Sequence, residues 1–123
     1  MRTRWPARTY AFVVVLSLAL VVACEGADAL VKALLADSAR YDGQAVTLTG
    51  TVTQLDARVS RRGNPYYTFK LDDGSGRVPV FSFGQPPCPS PSRVTVDGEF
   101  RHVKRVGGHT FYDQVDARRV VCR

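Results

Sequence analysis

Short runs in which apolar and polar side chains alternate, each ended by a glycine-containing turn, fill the chain from Tyr41 onward and restrict what it can fold into. Val46 to Val52 alternates valine and leucine with threonine. Tyr66 to Leu71 and Val78 to Phe83 alternate in the same way and are joined by Asp72-Asp73-Gly74-Ser75-Gly76, a turn by composition. A period of two sends successive side chains to opposite faces of a strand, so each run builds one buried and one wet face. Arg93 to Val103 continues the pattern with Val94, Val96, Gly98 and Phe100 on one parity. Phe111 to Val121 reads as a last strand, irregular around Asp113 to Asp116. Five strands this short leave unpaired edges in an open sheet, so the expected fold is all-β and closed, or nearly closed, into a barrel. Gly50, in mid-strand, suits a sharp bend of such a barrel.

Ahead of the first strand, Asp28 to Arg40 carries Leu30, Val31, Leu34 and Leu35, a spacing that predicts one helical face, with Asp28 near its N-terminus. This helix is expected to cover one barrel end, and Tyr41-Asp42-Gly43 to stop it. Between the third and fourth strands lies Gly84 to Pro91, with four prolines in six residues, which excludes a helix there. A rigid loop is expected instead.

The N-terminus has a different character. Arg2, Arg4 and Arg8 precede an uncharged stretch from Ala11 to Ala23, and Cys24 follows. A positive start, an apolar stretch too short to span a bilayer and a small residue before the break have the form of an export signal. Val21-Val22-Ala23-Cys24 resembles the lipobox of bacterial lipoproteins. That likeness implies a signal over 1–23, lipidation at Cys24, a tether over 24–27 and a barrel domain over 28–123. A plain secretory signal with an incidental cysteine, giving a soluble secreted or periplasmic product, and an uncleaved anchor are the alternatives. Removing the signal takes three arginines and no acid, so the net charge falls from +6 to +3. About 100 residues remain, enough for one modest core. With Cys24 assigned to lipid, Cys88 and Cys122 form an even pair, and in an oxidising compartment a disulfide between them is favoured over free thiols.

The strand pattern as a whole resembles the OB fold, specifically the nucleic-acid-binding-like and anticodon-binding-like OB domains that also occur as small exported bacterial proteins. The matching segments are Val46 to Val52, Tyr67 to Val78 and Val94 to Phe100, led in by Leu34 to Gly43. The Pro-rich interval departs from the usual OB arrangement, which has a helix there. The resemblance implies binding on the face of the second and third strands, flanked by the loops after the first and fourth. Both flanks are basic: Arg58, Arg61 and Arg62 in one, Arg101, His102, Lys104, Arg105 and His109 in the other. Parity sends Tyr67, Phe69, Leu71, Val78 and Val80 inward and leaves Tyr66, Thr68, Lys70, Pro79, Phe81 and Phe83 outside. An aromatic and cationic outer face suits stacking on bases or sugar rings. The expected ligand residues are Arg58, Arg61, Arg62, Tyr66, Thr68, Lys70, Phe81, Arg101, Lys104 and Arg105. Phe81 and Phe83 packing under a loop, with arginines merely solvated, is the competing reading.

No paired catalytic carboxylates, nucleophile motif, phosphate loop or dinucleotide fingerprint occurs, so a non-enzymatic binding module without a cofactor is expected. His102 and His109 with Cys88 and Cys122 match no familiar zinc spacing, and His109 lacks the pattern of haem-binding barrels. Asp72 and Asp73 read as turn residues rather than calcium ligands. An exported barrel of this kind meets anionic glycans, lipid headgroups and envelope proteins, with the membrane itself reached through Cys24. Single-stranded nucleic acid is the alternative partner.

Overall fold

The computed structural model describes residues 27–123, so the export signal and Cys24 lie outside the described residues. The elements run β1 (Ala27–Asp28), α1 (Val31–Ala36), α2 (Ser38–Tyr41), β2 (Ala45–Val59), β3 (Pro65–Asp72), β4 (Arg77–Phe83), β5 (Arg93–Val106) and β6 (His109–Cys122). The strands hydrogen-bond in the order β1-β2-β3-β4-β6-β5, and a further β2–β5 pairing closes β2 to β6 into a five-stranded OB-fold-like barrel. The five expected strands are all present, several longer than the alternation marked.

Closure rests on β2 serving two neighbours. Ala45 to Thr51 pair with β5, and Thr51 to Val59 pair with β3. One strand can do this only by coiling hard where its allegiance changes, and Gly50 sits at that point. A Cβ there would lie 2.5 Å from the Asp72 carbonyl oxygen, so only hydrogen fits. Gly98 does the same on β5, where a Cβ would run into the Asp116 carbonyl beside the register shift at Asp97/Gly98.

Inward residues follow the expected parity. Val46, Leu48, Val52, Tyr67, Phe69, Leu71, Val78, Val80, Val94, Val96, Phe100 and Val115 fill the barrel, while Tyr66, Thr68, Lys70, Pro79, Phe81 and Phe83 lie outside. Gln114 and Val115 are both buried because Asp113 has a φ of 53° and breaks the alternation, the irregularity expected in the last strand.

The N-terminal segment departs from expectation. The single helix from Asp28 to Arg40 is two short helices, and Asp28 is no cap: it pairs in parallel with Thr47 of β2. Of the four-residue apolar stripe only Val31 and Leu34 are buried, whereas Leu30 and Leu35 are exposed. Six residues are too few for a self-supporting helix. What holds α1 is burial of Val31 and Leu34, about 1.5–3 kcal/mol each, together with capping from across the barrel. The N–H of Val31 donates to Asp73 Oδ2 (2.9 Å) and that of Lys32 to Ser75 Oγ (3.0 Å), both in the β3–β4 turn. Asp73 is thus turn former and cap at once, since its Oδ1 accepts from the Ser75 N–H and hydroxyl and from the Gly76 N–H.

No helix forms between β4 and β5. The Pro-rich loop is held instead by Ser92, whose carbonyl accepts from the Val52 N–H (2.8 Å), and by a Cys88–Cys122 disulfide spanning 6.0 Å between Cα atoms. Cys88 is buried and packs into the core, so the bond staples the loop and the end of β6 to the barrel.

Gly98→Ala should destabilise the domain by about 2–3 kcal/mol in chemical denaturation, as overpacking against rigid backbone does, with no change in ligand-face residues. Asp73 opposes its own burial with hydrogen bonds from Ser75, Val31 and Gly76, and their net effect holds its carboxyl below the usual range. Its stabilisation is therefore complete above the unfolded pKa of about 3.9 and vanishes as pH falls through the lower folded value. Asp73→Ala should lower the melting temperature at pH 7 and flatten the acid limb of the stability profile below about pH 4.

Candidate ligand-binding face

Both basic flanks differ from the loops that the sequence suggested. Arg58 belongs to β2, and the loop beyond it is only Ser60 to Asn64, closed by the Ser60 N–H on the Asn64 carbonyl (2.8 Å). Arg101, His102, Lys104 and Arg105 are not in a loop at all. They lie on β5, which continues past its last partner on β2 and pairs with β6 as far as Val106 and His109. Gly107 and Gly108 make the turn, both with positive φ (56° and 84°), the conformation a two-residue hairpin needs. The product is a two-stranded arm rising from the barrel.

Cross-strand register builds the face itself. Arg58 lies opposite Tyr66, and Tyr66 opposite Phe83. The next row runs Asp56, Thr68, Phe81, Asp116, Glu99, Ala45. Tyr66 and Phe81 stand 5.5 Å apart between ring centroids, and Phe83 meets Phe81 edge-on at 5.0 Å. Phe83 is not buried under the Pro-rich loop or the N-terminal helices. Phe83 is 74% exposed, and Phe81 is half-buried beneath Lys104.

Lys104 has an internal role. Its Nζ lies 4.4 Å above the Phe81 ring and 2.8 Å from Asp116 Oδ1, which also accepts from Gln114 Nε2 (2.8 Å). Only 17% of its side chain is exposed, so it clamps the arm onto the sheet. Arg58 is held by Asp56 at 2.8 Å, which together with Tyr66 keeps its guanidinium firmly protonated. Arg101 is shared between Glu99 (3.4 Å) and Asp42 (4.0 Å), while His102 Nδ1 meets Asp113 (2.8 Å). Of the ten expected ligand residues, Arg61, Arg62, Lys70 and Arg105 are the cations without an ion pair among the described residues.

These four are not gathered at one spot. The Arg61-Arg62 turn follows the row that ends at Phe83. The parallel register of β4 and β6 sets the arm base beside Val80, towards the start of β4 and near Lys70, which pairs with Pro79. The aromatic row lies between them. Two further residues belong to this face. Arg118, two residues after Asp116 on β6, has no ion pair among the described residues, and Phe111 pairs with Lys104 on the arm. Phe111 was discoverable: a two-residue turn at Gly107-Gly108 sets the hairpin register, and with it this pairing. Beside Phe83 is a shallow depression of about 400 Å³, lined by Gly43, Ala45, Glu99, Asp116, Ala117 and Arg118. A second open groove, about 450 Å³, lies on a different face between Asp28, Thr47, Thr95, Asp97, Arg119, Val121 and Arg123. Cys88 and Cys122 are consumed by their disulfide, so neither is available to join His102 or His109 as a metal ligand.

No family model matches the chain, and no curated protein matches it. Among solved structures it is similar to the OB domain of Ta0387 from Thermoplasma acidophilum, determined by solution NMR. The two share 20% sequence identity over 64% of this chain and 74% of that one, with a TM-score of 0.45.

Replacing Lys104 by Met should remove the clamp, lowering stability by about 1–2 kcal/mol for a partly buried pair. It should also speed amide exchange in the arm, 103–112, relative to the barrel strands. Unchanged exchange would show that the arm is held by other contacts.

Proposed function

We propose that this chain is an exported, non-enzymatic binding module, lipid-anchored through Cys24, that takes an anionic oligomer along the outer face of β3 and β4. The carrying observation is the row of outward aromatics, Tyr66, Phe81 and Phe83, flanked by cations without an ion pair among the described residues: Arg61 and Arg62 beyond one end, Lys70 at the other, and Arg105 out on the arm. Rings supply a sequence-tolerant stacking surface, and separated cations suit a repeating charge better than a single anion. The acids of the face are already engaged: Asp56 by Arg58, Asp116 by Lys104 and Glu99 by Arg101. The potential left over is positive.

The lipobox-like Val21 to Cys24 supports the anchor, and the Cys88–Cys122 disulfide suits an oxidising compartment. Export favours an anionic glycan over other anionic chains, because glycans abound in cell envelopes. Single-stranded nucleic acid is the second reading, supported by the same aromatic row, since bases stack on such rings whatever their sequence.

Arg61→Ser, Arg62→Ser, Lys70→Ser and Arg105→Ser combined should abolish retention on a heparin matrix at low salt while leaving the melting temperature within a few degrees. None of the four side chains has an ion-pair partner among the described residues, so little folding stability goes with them. Retention equal to the parent protein would refute the assignment of this face. A mass measurement of the exported product decides lipidation at Cys24.

A further inference from the structure

We infer that the depression beside Phe83 is a pyranose subsite, which makes the oligomer of the proposed binding face a glycan rather than a nucleic acid; this rests on that face being the binding face. The depression exists because three small residues, Gly43, Ala45 and Ala117, lie between larger neighbours. Phe83 stands on one side, 74% exposed at the end of a strand whose other outward ring, Phe81, is covered by Lys104. Glu99, Asp116 and Arg118 stand around the rest. An aromatic ring beside a concavity edged by acceptors and a donor matches a sugar ring, with an apolar C–H face and a rim of hydroxyls.

The two carboxylates are directly opposed across β5 and β6, and each is only half used. Asp116 takes Lys104 and Gln114 on Oδ1, and Glu99 takes Arg101 on Oε1. Asp116 Oδ2 and Glu99 Oε2 have no partner among the described residues, which leaves two ionised acceptors oriented by internal cations. Hydroxyl donors to such oxygens form charge-assisted hydrogen bonds, about twice as strong as neutral ones. Arg118 supplies donors on the same rim. A nucleotide fits worse. A thymidylate unit offers the two open carboxylate oxygens a single N–H donor, whereas a pyranose ring offers several hydroxyls. In a chain of acidic sugars the carboxylate of the ring in the depression falls to Arg118 on the rim, and those of the other rings to Arg61, Arg62, Lys70 and Arg105.

The test titrates the exported protein with hexagalacturonate and with a short poly-thymidylate of equal charge. The proteins compared are the parent chain, Phe83→Ala, Glu99→Gln and the quadruple serine variant. Phe83 is mostly exposed and Glu99 partly so, and circular dichroism and melting curves confirm that both variants fold. The parent should bind the glycan more tightly than the oligonucleotide. Phe83→Ala should weaken glycan binding about tenfold or more. Glu99→Gln should weaken glycan binding while leaving oligonucleotide affinity unchanged or raised. Equal or tighter oligonucleotide binding by the parent, or glycan affinity unmoved by Phe83→Ala, would overturn the subsite. If the quadruple variant binds both probes as well as the parent does, it is the binding face itself that is wrong, and the two failures are told apart.

Discussion

One strand shared between two neighbours governs this molecule. Because β2 pairs with β5 over its first half and with β3 over its second, the sheet meets itself and no long edge is left open. The geometry tolerates no side chain at Gly50 or Gly98, where one backbone crosses another at near contact distance. Everything functional hangs on that closure. The aromatic row of β3 and β4 lies on its outside, and the surplus length of β5 and β6, released once β2 has turned away, becomes the arm.

The arm shows how charge on a small barrel divides between structure and recognition. Lys104, Arg101 and Arg58 spend their charge on Asp116, on Glu99 with Asp42, and on Asp56, and in doing so fix the arm, the lead-in turn and the end of β2. The exposed pairs of Arg58 and Arg101 contribute little energy individually. Their value here is positional, since they fix these elements and neutralise acids on the outer face. Arg61, Arg62, Lys70 and Arg105 have no ion pair among the described residues.

Much of the barrel was legible in the chain. A period of two identified all five barrel strands and assigned Tyr67, Phe69, Leu71, Val78 and Val80 inward, because burial on one face leaves a repeating mark. Four prolines excluded the usual helix. Less was legible where partners are distant in sequence. Nothing near Asp28 reveals that it pairs with Thr47, or that the cap of α1 is Asp73, 42 residues away. The basic flanks were misread for a related reason: Arg101 to Arg105 have a strand's pairing but no buried face, so the alternation that marks a strand is absent. Which cations would be consumed internally depended on register, and register on the Gly107-Gly108 turn.

The cap supplied by the β3–β4 turn has a mechanical meaning. Force arriving along the polypeptide from its N-terminal side meets β1 first, a two-residue parallel pairing, and then α1, fastened through Asp73 and Ser75 to a turn on the far side of the sequence. These contacts lie outside the strand ladders that close the barrel, and they are few. A tug from that side would therefore peel the leading segment like a tab while the cylinder kept its shape, and relaxation would let Val31 and Leu34 drop back into a socket already formed.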